Sequence, residues 1–303
     1  MKIIDIHAHG IGGYDTRTTA EGDILKIAEI QGSYGISEIL LTIYPSIVKV
    51  MRENMDAVRK AMKLQDARYK MQDTKPAKII GVHLEGPFLN PSKCGALNAG
   101  AFAEPAEYKL KELIEGFEDI VKIMTIAPEI KGAAGLIKKM SDRGIIVSMG
   151  HSDATYGDAE AGFNAGAKGI THIFNAMRGF HHREPGLAGF GLLNQDIYIE
   201  VIADPCHLHP KTLELIFKTK NPDRIIIVSD SVKEAKTSPS PLPPPFKVGD
   251  MGMGQGITDI RGKLSGGCMT IIESSKRLIG IGYNKNSIMR CITKNPKMYL
   301  SSF

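Results

Sequence analysis

Eight short runs, rich in β-branched residues and nearly free of charge in their interiors, limit most strongly what this chain can fold into. They span residues 2–9, 36–44, 78–85, 120–127, 144–149, 169–174, 198–203 and 224–229. Such runs are what strands buried on both faces require. Between several of them lie stretches with apolar residues at helical spacing, at 23–35, 50–67, 106–115 and 133–144. Strand therefore alternates with helix. Eight such units favour an α/β fold of the closed (β/α)8 TIM-barrel type over an open doubly wound sheet, because eight parallel strands close naturally around a core of their own side chains. A length of 303 residues with 43% hydrophobic content suits one such domain, 1–303. The rhythm breaks once. Residues 237–245 read TSPSPLPPP and 246–267 hold seven glycines, which predicts an extended Pro/Gly-rich loop at about 232–268 before a helix resumes near 269–279.

Several function classes drop out. The net charge is +5, but Lys and Arg are scattered among Asp and Glu, so there is no nucleic-acid footprint, and the mildly basic balance suits an anionic metabolite. Cys94, Cys206, Cys268 and Cys291 form no CxxC pair, which argues against a zinc ribbon or a disulfide scaffold and fits a reducing cytoplasm. The opening MKIIDIHAHG is no signal peptide, and no apolar run reaches the roughly 18 residues that a membrane span needs.

In a barrel the reacting groups sit at the C-terminal ends of the strands. Here those ends are heavily polar. The first carries His7 and His9, the third His83 and Glu85, the fifth His151 and the sixth His172; the seventh leads to His207 and the eighth ends in Asp230. Strand alternation points His7 and His9 into one space, and likewise His83 and Glu85. A lone histidine at a strand end is usually a packing residue, yet most of the nine histidines gather there. Imidazole together with carboxylate suits Zn2+ or Fe2+ rather than Mg2+ or Ca2+. A divalent cation held by Glu85, His151 and His172 leaves a position for water and polarises a carbonyl. Asp230 is then the general base and later the acid for a departing amine, and His207 a partner for substrate or oxyanion. A helix N-cap is the competing reading of Asp230.

Four strings are strongly specific: VHLEGPF at 82–88, GHSDATY at 150–156, THIFNAM at 171–177 and HHREPG at 181–186. With IADPCHLHP at 202–210 and VSDS at 228–231, the chain resembles the N-acetylglucosamine-6-phosphate deacetylases of the amidohydrolase superfamily, in order from DIHAHG to KNP. The resemblance implies that Glu85, His151 and His172 bind the tighter metal, that His7 and His9 serve a second ion in some members, and that Asp230 is the acid/base. It places Asn175, the backbone of Ala176, Arg183 and His207 on a sugar phosphate. It also implies a homodimer whose HHREPG loop helps to close the neighbour's site.

Three features depart from the family pattern. Leu97, in SKCGALN, stands where a histidine usually contacts substrate, and leucine offers no hydrogen bond. The chain begins on barrel strand one and stops after KNP, so the family's small β-sandwich is expected to be missing. Ser231 replaces the usual alanine after the aspartate, ahead of the proline-rich stretch.

Overall fold

A computed structural model describes residues 2–68, 75–237, 256–258 and 262–302. Eight parallel strands form one sheet in sequential order: β1 Ile4–Ala8, β2 Glu38–Ile43, β3 Lys78–Glu85, β4 Val121–Ile126, β5 Ile146–Met149, β6 Gly169–Ile170, β7 Tyr198–Ile202 and β8 Ile225–Val228. Between the first and last strands the sheet is joined at its C-terminal rim. There the Asp230 N–H donates to His7 C=O at 2.9 Å, and the N–H groups of His9 and Gly10 donate to Ser231 C=O at 2.8 and 2.9 Å. The seam that closes the barrel thus runs through the residues that carry its chemistry.

Helices α1 Glu21–Ser33, α2 Val48–Arg68, α3 Glu107–Ile114, α4 Ala133–Asp142, α5 Tyr156–Asn164, α6 Gly186–Leu193, α7 Pro210–Thr219 and α8 Ile271–Gly280 follow the strands in turn. Their apolar stripes pack on the outward strand faces in one large buried cluster that includes Ile27, Val58, Leu113, Ile137 and Leu213, the main source of stabilisation in such a layered fold. A smaller cluster of Ile4, Leu40, Ile123, Ile146 and Ile226 belongs to the strands themselves, and the closing helix, α10 Lys294–Leu300 after α9 Lys285–Cys291, adds the fully buried Tyr299 to it.

Two expectations need correction. The sixth strand stops at Ile170 instead of running to residue 174, because His172, Phe174 and Ala176 take φ of +30°, +73° and +48°, values no strand tolerates. The fifth starts at Ile146, since Gly144 at φ +75° belongs to the preceding turn. Of the Pro/Gly-rich loop expected at 232–268, residues 238–255 and 259–261 lie outside the described residues, including most of TSPSPLPPP. The described remainder holds a turn at 233–236 and a small hairpin of Ile257–Thr258 with Leu264–Gly266. Among the described residues only this hairpin and one at Gly10–Ile11 with Tyr14–Asp15 accompany the barrel sheet. No helix there is long and apolar enough to cross a membrane.

Candidate metal centre

Glu85 is the hub of the barrel mouth. It ends β3, is 3% exposed, and its Oε1 lies 3.0 Å from His151 Nε2 and 3.1 Å from His172 Nε2. The two imidazole nitrogens are 3.2 Å apart. Its other oxygen, Oε2, lies 3.2 Å from His9 Nε2, while His7 Nε2 is 3.6 Å from Oε1. Burial pushes the Glu85 carboxyl up, but the imidazoles around it, His151 foremost, outweigh burial and hold the group well below the usual carboxylate range.

Two of these ring protons are placed by their partners. The Nδ1–H of His151 donates to Lys93 C=O at 2.9 Å, and in that tautomer the Nε2 lone pair faces Glu85. His7 is buried, which drives its pKa far down. Its Nδ1–H donates to Glu200 Oε2 at 2.9 Å, so its Nε2 lone pair faces Asp230 Oδ1 at 3.4 Å and Glu85 without a hydrogen-bond partner. Acceptor thus confronts acceptor where the Nε2 lone pairs of His151 and His7 meet the Glu85 carboxylate, inside two adjoining groups, Glu85 with His151 and His172, and His7 with His9 and Asp230, each with its ligand atoms inside 4.8 Å of one another. Such a confrontation is repulsive unless a cation lies between the lone pairs, so the donor set fits a divalent metal of the Zn2+ or Fe2+ kind. The histidine anchored through its far nitrogen by a carboxylate or carbonyl is the usual outer arrangement of such sites.

The backbone is strained to aim these groups. His151, His172 and Asp230 have φ of +47°, +30° and +47°, a region that side-chain-bearing residues avoid at a cost of about 1–3 kcal/mol each. Asp230 caps no helix, which removes the competing reading of that residue; it is followed by the 233–236 turn. Its carbonyl accepts the Gly267 N–H at 2.7 Å. A Cβ at Gly267 would stand 1.8 Å from Ser229 C=O, so only glycine permits that approach. Burial, with Glu85 adding to it, pushes the Asp230 carboxyl up to about 8.

His207 is fixed by Asp204, which accepts both its backbone N–H at 2.9 Å and its Nδ1–H at 3.0 Å. Burial lowers the pKa of His207, but the hydrogen bond and charge of Asp204 overcome this and raise it above the usual 6.5. Burial likewise raises Asp204, and the bonds from His207 bring it down to about 2. The sign follows: the pair's stabilisation is lost as pH rises through the raised His207 value, and lost again as pH falls towards 2. In Asp204→Asn the His207 NMR titration midpoint is expected to move down; an unmoved midpoint would show that Asp204 does not set it.

These groups open into a cavity of about 1020 Å3, which also reaches Leu97, Asn175, Ala176, Tyr44, Arg17, Lys233 and Lys263. Glu85, His151, His172, His9, His207, Asp230, Asn175 and Ala176 are thus brought together, and His7 joins them beneath the floor. Arg183 is not. It is exposed and outside the lining of this chain's own cavity, because its loop turns outward at His181–Glu184. His83, on the same strand face as Glu85, is spent elsewhere: Nδ1–H donates to Ile6 C=O at 3.2 Å and Nε2 accepts from Thr125 Oγ1 at 2.8 Å, with burial taking its pKa to about 3. Glu200 and Asp204 escaped the sequence reading. A lone carboxylate inside the apolar run YIEVI was the available signal for Glu200.

No family model matches the chain. The N-acetylglucosamine-6-phosphate deacetylase of Vibrio furnissii is 30% identical over 276 residues, covering 91% of this chain and 67% of the relative. The chain belongs to the N-acetylglucosamine-6-phosphate deacetylase family. The N-acetylgalactosamine-6-phosphate deacetylase of Escherichia coli O157:H7 is 32% identical over 232 residues, 77% of this chain and 59% of its own. The solved structure of the N-acetylglucosamine-6-phosphate deacetylase of Thermotoga maritima superposes with a TM-score of 0.81 at 28% identity, over 99% of this chain and 78% of that one. This family member therefore spans between about half and two thirds of the length of its curated relatives.

Proposed function

We propose that the chain catalyses metal-dependent removal of the N-acetyl group from a hexosamine 6-phosphate, giving the free amine and acetate. The observation that carries this reading is the facing of imidazole and carboxylate lone pairs around Glu85, beside Asp230 and inside a cavity with ample room for a sugar phosphate. Glu85, His151 and His172 would hold one divalent cation, Zn2+ or Fe2+, and His7 and His9 with Asp230 would offer donors for a second. Such a cation acts as a Lewis acid on the amide carbonyl and lowers the pKa of water.

The remaining steps belong to the chain's own side chains. Asp230, whose carboxyl burial has shifted towards neutrality, takes a proton from the attacking water and returns it to the amine nitrogen, which leaves poorly unprotonated. His207, locked by Asp204, donates through Nε2 to the developing oxyanion or a sugar hydroxyl. Asn175 and the Ala176 backbone hold the phosphate end, and Arg17, Lys233 and Lys263 add positive charge to the lining of the same cavity.

Arg183, exposed on its own chain, reaches the phosphate across a homodimer. Arg183→Ala is expected to raise KM roughly tenfold while leaving kcat nearly unchanged, as for a contact made equally in ground and transition states. A monomer in light scattering with an unaltered KM would remove it from the site. A cytoplasmic location accords with four cysteines that are all unpaired.

Leu97 on the cavity wall favours attention to a second substrate, since one relative is a galactosamine-type deacetylase. Acetate release from the two C4-epimeric N-acetylhexosamine 6-phosphates, by protein loaded with Zn2+ or Fe2+ and by chelated protein, tests both. Release by loaded protein alone supports the proposal, the faster epimer naming the substrate; release from neither sugar overturns it.

A further inference from the structure

Beyond the metal centre, a second cluster of reactive side chains stands behind His207. Cys206 lies just past β7 and Cys268 just past the Leu264–Gly266 strand, yet both sulfurs and an Asp204 oxygen fall within 4.8 Å of one another. A thiophilic metal bound through Asp204 is disfavoured by its hydrogen bonding. That carboxylate already accepts from the N–H groups of Cys206 at 2.8 Å, His207 at 2.9 Å and Cys268 at 3.3 Å, and from His207 Nδ1–H at 3.0 Å. Asp204 is therefore the clamp that holds the two cysteine backbones together, and what remains is a pair of facing thiols.

We propose that Cys206 and Cys268 are a reversibly oxidisable dithiol, closed to a disulfide by hydrogen peroxide, and that its closure ties the two walls of the catalytic cavity together. The two sulfurs have unequal roles. The Cys268 S–H donates to Asp204 Oδ2 at 3.6 Å, which turns its proton away from Cys206, and the interaction of the two neighbouring thiols lowers the Cys206 pKa and raises that of Cys268. Cys206 is buried and Cys268 half-buried, so the pair has an approach from the Cys268 side. The chemistry balances. The Cys206 thiolate attacks one peroxide oxygen, the O–O bond breaks, and the departing hydroxide takes up the thiol proton as water. Cys268 sulfur then attacks the sulfenic sulfur, the S–O bond breaks, and hydroxide leaves with the Cys268 proton as a second water.

The other two cysteines act as internal controls. Cys291 is fully buried, which pushes its thiol up to about 12 and leaves it inert. Cys94 is half-buried near the cavity rim beside Gly95, apart from the pair. The coupling to activity follows from the neighbours. One tethered segment carries Asp204 and His207, and the other carries Gly267, whose N–H holds the Asp230 carbonyl at 2.7 Å. This coupling rests on the proposed deacetylase reading; the dithiol itself does not.

The test is peroxide treatment of the full chain, blocking of remaining thiols with N-ethylmaleimide, digestion and mass spectrometry. Two of the four thiols are expected to vanish as one Cys206–Cys268 crosslinked peptide, lighter by two hydrogens and reversed by dithiothreitol, and both C206S and C268S are expected to lack it. Turnover of N-acetylglucosamine 6-phosphate is expected to fall on oxidation and return on reduction in the wild type, with C268S insensitive. Oxidation confined to Cys94, or overoxidation of the pair without a crosslink, overturns the dithiol. A crosslink that leaves turnover unchanged overturns its coupling to the cavity. If neither redox state hydrolyses the sugar, the functional reading has failed, and the crosslink alone decides the dithiol.

Discussion

Glu85→Gln is expected to empty the barrel mouth of tightly bound metal and to remove turnover with it. Among the described residues Glu85 is the carboxylate that touches both donor groups: Oε1 meets His151 and His172 at 3.0 and 3.1 Å, and Oε2 meets His9 at 3.2 Å. An amide of the same shape keeps the packing but loses the negative charge, and turns an NH2 donor towards some of those nitrogens. Even removal of an outer partner commonly costs about 10–100-fold in metal affinity, so loss of this direct ligand should exceed about 100-fold. Metal content after dialysis, measured by inductively coupled plasma mass spectrometry beside acetate release, checks it. A variant that retains one equivalent of metal through dialysis would show that the histidines suffice.

A large stability effect lies at the other end of the barrel. Gly169→Ala should destabilise by about 3 kcal/mol or slightly more, the upper range for overpacking. A Cβ there would stand 2.0 Å from Tyr299 Oη, 2.8 Å from Cζ and 3.2 Å from Ser148 Oγ. Tyr299 cannot yield cheaply, because it is fully buried and its ring lies 4.8 Å from that of Tyr198 within the inner cluster. For a chain of this size that cost lowers Tm by roughly 5 °C. In the G169A/Y299F double variant the closest clash is gone, and part of the lost Tm should return. A Tm unchanged in G169A would mean that β6 and the last helix are not packed together as described.

The same strand shows why part of this molecule was legible in its sequence and part was not. Burial on both faces forces an apolar run wherever a barrel strand passes, so seven strands follow from pattern alone, as do helices α1 to α4 and α8, whose apolar stripes repeat at helical spacing. The sixth is truncated at Ile170 because the positive φ of His172 is imposed by tertiary placement, which a pattern of residue types does not record. The hub residues were readable because strand alternation fixes which side chains share a face. Their outer partners were not. Glu200 reaches His7 across 193 residues of sequence, and the Lys93 carbonyl that orients His151 carries no side-chain signature at all. Arg183 is the opposite case: its string is specific, but its place is outside the cavity of its own chain.

The central claim is that this barrel mouth hydrolyses an acetamide with Asp230 as the group that moves the proton. It is tested most directly by comparing wild type with Asp230→Asn, both loaded with Zn2+ and with metal content measured, for acetate release from N-acetylglucosamine 6-phosphate and its C4 epimer. Expected is stoichiometric acetate and free amine from the wild type, and a loss of about 10^2–10^4-fold in kcat in the variant with at least one ion per chain retained at Glu85, His151 and His172. Acetate release from Asp230→Asn at the wild-type rate, with metal retained, would contradict the account.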